Sequence, residues 1–312
     1  MAKAGTRSGT ADRGRQGTYS IVARDPQSGE LGVAVQSHWF SVGPLVPWAR
    51  PGVGAVATQA NVRVAYGPEA LDLLAGGASA PQALAELLAK DSGAHGRQVA
   101  IIDAHGGIAA HTGSSCMAFA GHVTGEQVSC QANIMASEVV WGRMHDAFNA
   151  ASGALAQRLL AALDAGELAG GDIRGRQSAA ILVVPASGAA WQTTVSLRVE
   201  DHSEPLLELR RLMQLHEGYL LAGRADDLTN QGRYAEAAAL YVRAAELAPG
   251  NHELLFWSGL AIVESGNVEA GITQVREAIL LQNGWAELLP RLSPQVAPAA
   301  ALVAQRLGLS VE

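Results

Sequence analysis

The sequence predicts an α+β fold, a layered sandwich of sheets covered by paired helices, followed by an all-α region. Three observations carry this. Between residues 18 and 199, short apolar runs bounded by turn residues alternate with helical segments, in the order strands, helix pair, strands, helix pair, strands. From about residue 204 the helical pattern is unbroken. Within that tail a segment recurs at the period of a helical repeat.

The first strands are 18–24 and 31–37, joined by Asp25-Pro26-Gln27-Ser28-Gly29-Glu30, which is turn chemistry and makes a β-hairpin. A third strand, 53–60, is built of small residues and should pack closely. The first helix pair follows. One helix runs from Pro68 to Leu74 and stops at Gly76-Gly77; the next has Ser79 as N-cap, Pro81 just inside, and leucines 84, 87 and 88 at helical spacing. Strands are expected at 98–103, 107–111, 117–123 and 127–133, read as one antiparallel meander with turns at Gly106-Gly107 and Thr124-Gly125. Helices at about 136–150 and 153–166 and strands at 178–185 and 193–199 close the unit.

In the tail, Gly232-Arg233-Tyr234-Ala235-Glu236-Ala237 recurs as Gly266-Asn267-Val268-Glu269-Ala270-Gly271. Ala237, Tyr241, Ala244 and Pro249 have the spacing of a tetratricopeptide unit, well matched over 218–251 and less closely over 252–285. Two such units are too few to bury a stable core. They need the N-terminal domain, a second subunit, or residues 286–308 as a cap. The expected division is therefore a basic head or removable propeptide at 1–17, the sandwich at 18–203, and tetratricopeptide-like repeats at 204–312. The repeats point to a homo-oligomer or a protein partner.

Charge and composition exclude several classes. The chain carries a net charge of −7. In the head, Lys3, Arg7, Arg13 and Arg15 stand against Asp12, a balance of +3, so the body is at −10 and offers no nucleic-acid surface. The head has no apolar run and is not a secretory signal. Nothing approaches the roughly 18 apolar residues of a membrane span, and the expected location is the cytoplasm. The two cysteines, Cys116 and Cys130, form no ligand spacing and no disulfide framework. No phosphate loop, dinucleotide fingerprint or metal motif occurs, so neither cofactor nor metal is expected.

Residues 18 to about 202 resemble the DUF1028 family, named for its unknown function. The matching runs are Tyr19-Ser20-Ile21-Val22-Ala23-Arg24-Asp25, Gly32-Val33-Ala34-Val35, Val46-Pro47-Trp48-Ala49, Gly54-Ala55-Val56-Ala57-Thr58-Gln59-Ala60, Ala110-His111-Thr112-Gly113, Gly175-Arg176-Gln177-Ser178-Ala179 and Leu197-Arg198-Val199. The resemblance implies an αββα sandwich of the Ntn-hydrolase type. Members more usually begin almost directly at the position of Thr18, whereas here the segment 1–17 precedes it.

Thr18, at a Gly-Thr junction heading a strand, is the candidate nucleophile. Cleavage after Gly17 would give it a free α-amine, and a residue with both groups supplies its own general base. The alternative is an ordinary β-branched strand residue. Ser37, at the end of the second strand, falls beside Thr18 in a regular hairpin, and Ser20 shares its face. Thr58 could orient the amine and Gln59 could donate to a substrate carbonyl; strand-end capping is the competing role. Asn133 could supply an oxyanion donor or simply form a turn. His111 is a candidate substrate contact or a structural histidine. Arg176, in Arg174-Gly175-Arg176, could read an acidic group or pair with an aspartate such as Asp172. The expected activity is hydrolysis of a small C–N amide by Thr18. The competing expectation is an inactive scaffold whose repeats bind a protein partner.

Overall fold

The computed structural model describes residues 17–309. The chain divides between Arg210 and Arg211 into two compact units.

The first unit is mixed α+β with two antiparallel sheets. Its strands are β1 (Thr18–Arg24), β2 (Leu31–Ser37), β3 (Pro47–Arg50), β4 (Gly54–Ala60), β5 (Arg97–Asp103), β6 (Ile108–Thr112), β7 (Gly121–Gly125), β8 (Val128–Asn133), β9 (Ser178–Val184) and β10 (Val195–Val199). One sheet has the order β10-β9-β2-β1-β8-β7 and the other β3-β4-β5-β6. Helices α1 (Tyr66–Ala75) and α2 (Ala80–Ala89) separate β4 from β5; α3 (Val140–Ala150) and α4 (Leu155–Leu168) separate β8 from β9.

Alternation along each strand sorts side chains into two sets. Val22, Leu31, Val33 and Val35 of the six-stranded sheet share one apolar core with Ala55, Ala57, Ala100 and Ile102 of the four-stranded sheet. The opposite face of β4 and β5 presents Val56, Val99 and Ile101 to Tyr66, Leu71, Leu84 and Leu87 of α1 and α2. On the outer face of the six-stranded sheet, Gly32 lies under Leu155 and Leu159 of α4, and the Tyr19 hydroxyl donates to Glu167 at 2.6 Å. Burial beside Glu167 pushes the Tyr19 phenol well above its usual range. The first helix pair has the expected punctuation. Gly76 caps α1, and Ser79 and Gln82 form a capping box on α2 with Pro81 in its first turn.

Two expectations are corrected. Strands 98–133 are not one meander: β5 and β6 lie in the four-stranded sheet, whereas β7 and β8 lie in the six-stranded one, where β8 also pairs with β1. Turn residues end strands but do not say which sheet takes the next one. Residues 117–120 are not strand, and β7 begins at Gly121. In addition, the short β3 starts at Pro47; proline has no N–H to give to a ladder and is tolerated at the first residue of an edge strand.

Helix α5 (Pro205–Asn230) contains the division between the units. The second unit continues through α6 (Tyr234–Leu247), α7 (His252–Glu264), α8 (Val268–Leu281), α9 (Gly284–Leu288) and α10 (Ala300–Leu307). The helix bounds repeat with the sequence. The end of α5 at Asn230 corresponds to the end of α7 at Glu264, and both bounds of α6 correspond to those of α8. Close approach explains the residues at equivalent positions. A Cβ on Gly271 would stand 2.4 Å from the Gly259 carbonyl oxygen, so α7 and α8 cross at glycines. The equivalent positions one repeat earlier, Ala225 and Ala237, are fully buried. The Phe256 and Trp285 rings stack at 4.3 Å within the core that holds α10. Among the described residues no helix is long and apolar enough to cross a membrane.

Candidate active site

Thr18 heads β1, a central strand paired with Ser37 on one side and Asn133 on the other. Val22 faces the core between the sheets, and the strand period turns Thr18 and Ser20 the same way. All four of Thr18, Ser20, Ser37 and Asn133 are buried.

The Ser37 hydroxyl donates a short hydrogen bond to the Gly17 carbonyl and lies 3.0 Å from Thr18 Oγ1. Ser37 has one hydrogen, already given to Gly17, so Thr18 is the donor to Ser37. The Gly17 oxygen receives a second bond from Arg174 Nη2 at 2.9 Å. That guanidinium is held by Asp172, whose Oδ1 accepts from Arg174 Nε at 3.0 Å and whose Oδ2 accepts from Nη2 at 2.7 Å. Backbone N–H groups of His38 and Arg174 complete the carboxylate's partners at 3.1 and 3.0 Å. The Asp172 side chain has no exposure, so the charge is buried but fully used. The carbonyl immediately before Thr18 therefore sits between a hydroxyl and a fixed cation.

Behind Thr18 lies a network of amides that joins the two sheets. Gln59 Nε2 lies 3.2 Å from the Thr18 carbonyl oxygen and 2.7 Å from Gln98 Oε1. Its Oε1 accepts from the Ser20 hydroxyl at 2.6 Å, and Gln131 Nε2 donates to the same hydroxyl at 2.6 Å. Asn133 Nδ2 lies 3.0 Å from Gln98 Oε1 and 3.4 Å from the Thr18 carbonyl oxygen. Gln98 Nε2 reaches Thr112 Oγ1 and the Ala132 carbonyl oxygen at 2.9 Å each. In a buried layer each amide needs a partner, and these find protein partners. Strain marks the two strand ends. Ala60 follows Gln59 with φ 66° and Ile134 follows Asn133 with φ 58°. For β-branched Ile134 this is a true outlier, of the kind worth about 1–3 kcal/mol.

Of the residues expected at the site, Thr18, Ser37, Gln59 and Asn133 converge, though the two amides face the Thr18 carbonyl and Gln98 instead of open space. Three do not converge. Thr58 shares the Val56 face toward α1, and its hydroxyl lies 3.3 Å from the Arg63 carbonyl oxygen, so it cannot orient the Thr18 amine. His111 also faces outward, with Nε2 at 2.9 Å from the Ala94 carbonyl oxygen. Arg176 is committed to Glu167 and Glu204, whose bonds and charge raise its pKa. Its neighbour Arg174 is the arginine that reaches residue 17. Sequence reasoning missed Gln98 and Gln131 altogether. The available signal is an uncharged amide beside the apolar residues of each strand. The Cys116 thiol, half buried, is pushed up by burial, which keeps it protonated and away from nucleophile chemistry.

No curated protein matches the chain. A crystal structure of a DUF1028 protein from Silicibacter pomeroyi is similar to it, with 34% identity and a TM-score of 0.59, covering 64% of this chain and 85% of that one. The model of the family described as "Family of unknown function (DUF1028)" matches residues 18–209, from the buried Thr18 to the first turn of α5, and the chain belongs to that family.

Proposed function

We propose that this protein is an N-terminal-nucleophile hydrolase of a small C–N amide, with Thr18 as nucleophile once residues 1–17 are removed. The two sheets and their paired helices are read as the αββα layering of Ntn hydrolases. One observation carries the reading: the carbonyl preceding Thr18 accepts from both Ser37 and Arg174, while Thr18 Oγ1 is 3.0 Å from Ser37. Donors set on a carbonyl beside a hydroxyl stabilise the oxyanion that forms when the hydroxyl attacks.

With the chain starting at Thr18, its α-amine serves as base; an unperturbed α-amine titrates near ~8, close to neutral pH. Oγ1 attacks the substrate carbonyl carbon while its proton passes to the amine. The C–N bond breaks and the proton leaves with the departing amine. Water then adds to the Thr18 ester, the acid departs, and Oγ1 recovers a proton. Arg174 and Ser37 hold the carbonyl oxygen throughout. Gln59 and Asn133 fix the Thr18 backbone.

The test is the intact mass and N-terminal sequence of the purified native protein, followed by an amide screen with the Thr18→Ala variant. A chain beginning at Thr18, with hydrolysis lost in the variant, is expected. An active preparation that begins upstream of Thr18, or an active variant, refutes the assignment.

A second reading draws on the second unit. The recurrence of its helix bounds and its small-residue crossing support tetratricopeptide-like repeats. Exposed Tyr219, Leu220 and Val242 would then contribute to a surface for a protein partner or a second copy of the chain. If the working form retains residue 17, this reading replaces the first.

A further inference from the structure

The contacts of Gly17 bear on which acyl group the site accepts. A Cβ placed on this residue would fall 2.6 and 2.8 Å from the two carboxylate oxygens of Asp172 and 2.8 Å from Arg174 Nη2. Those distances are well inside van der Waals contact. Ends of side chains usually give way, but these are pinned. Asp172 accepts from His38 N, Arg174 N and two guanidinium nitrogens, and Arg174 in turn donates to the Gly17 oxygen. Moving the pair to make room would break the donor set on the carbonyl. Only a glycine therefore leaves that donor set intact. The demand comes from the space beside its Cα.

Resting on the reading of Thr18 as nucleophile, we propose that the site takes amides whose acyl group has a CH2 at its α-carbon, a glycyl-type acyl, and that the Asp172–Arg174 pair rejects an L-configured branch at that carbon. The uncut chain displays the geometry, because Gly17 contributes the acyl carbonyl next to Oγ1. A substrate acyl carbonyl taking the same two donors brings its α-carbon to the same wall. Asp172 acts here as a positioning and specificity-determining residue. In the acylation step the Oγ1–C bond forms as the bond to the leaving group breaks. The Oγ1 proton moves through the α-amine to that group.

The experiment uses the native protein and a matched pair of activated donors, the p-nitrophenyl esters of N-acetylglycine and N-acetyl-L-alanine. Release of nitrophenol gives the rate, and mass analysis of the N-terminal peptide reads the acyl group on Thr18. Acylation by the glycine ester at least about 100-fold faster than by the alanine ester is expected, with the added mass on Thr18. Equal rates, with Thr18 acylated by both, overturn the α-carbon rule and leave the nucleophile standing. No acyl group on Thr18 from either ester overturns the nucleophile assignment, and the rule with it.

Discussion

Asp172→Asn tests the anchor of the site. The carboxylate accepts four N–H groups, two from Arg174's guanidinium and two from the backbone at His38 and Arg174. An asparagine keeps one oxygen, enough for the Arg174 N and Nε side. Its Nδ2 then confronts His38 N and Arg174 Nη2, two donors facing a donor. Each buried donor left unpaired costs about 1–3 kcal/mol, and the guanidinium loses its buried counter-charge, a change that costs about 3–5 kcal/mol when a pair is fully enclosed. Arg174 retains 28% exposure, so water recovers part of that. The net loss expected is about 3–4 kcal/mol. For a unit of this size it lowers the melting temperature by about 6–16 °C. Arg174 also loses its aim at the carbonyl, so hydrolysis should fall about 10²–10³-fold, the scale for one oxyanion donor. Calorimetry of the full chain, with the amide assay alongside, reads both. A melting temperature indistinguishable from wild type would refute the claim that Asp172 is the buried anchor. Unchanged hydrolysis would refute the role of Arg174 at the carbonyl.

Two further perturbations address other parts of the unit. Gln59→Leu removes the amide bonded to Ser20, Gln98 and the Thr18 carbonyl, leaving several buried groups unpaired; a loss of about 2–4 kcal/mol in urea unfolding is expected, and a negligible loss would mean that the network is not closed. For Asp91, burial pushes the carboxyl up, but bonds from Arg97, the Gly93 N–H and the Tyr66 hydroxyl outweigh burial and hold it at about 2. Its folded pKa is below the unfolded one, so the stabilisation is complete above about pH 4 and is lost as pH falls toward 2. Partial exposure reduces the value to about 1–2 kcal/mol. Asp91→Asn should therefore flatten the acid limb of stability between about pH 4 and 2, and an unchanged limb would refute the assignment.

How far the sequence discloses the site depends on the distance over which each residue is positioned. The Thr18–Ser37 pairing is legible because one turn, residues 25–30, joins the two strands and sets their register. The period of two that puts Ser20 on the face of Thr18 also puts Thr58 and Gln59 on opposite faces of β4, so only one of them could join the site. Which one is not legible. Strand β4 is buried on both sides, Ala55 and Ala57 toward one sheet and Val56 toward the helices, and apolar residues on both faces carry no mark of direction. Gln98 and Gln131 join one network through Gln59 from two sheets whose assignment the turns do not encode, which is also why a single meander is the wrong expectation for strands 98–133. Arg174 and Arg176 differ least of all in sequence: same side chain, same loop, one glycine between them. Their roles separate only through Asp172 and Glu167, brought beside them by the fold. The neighbour on the other side of the site, Gly17, reads in the sequence as a cleavage signal. The structure supplies a different reason for a glycine there, the missing Cβ that lets Asp172 and Arg174 close on the carbonyl. The two reasons make different demands. A cleavage signal constrains only the uncut chain, whereas a shape constraint persists after residue 17 is gone and applies to every acyl group that takes its place.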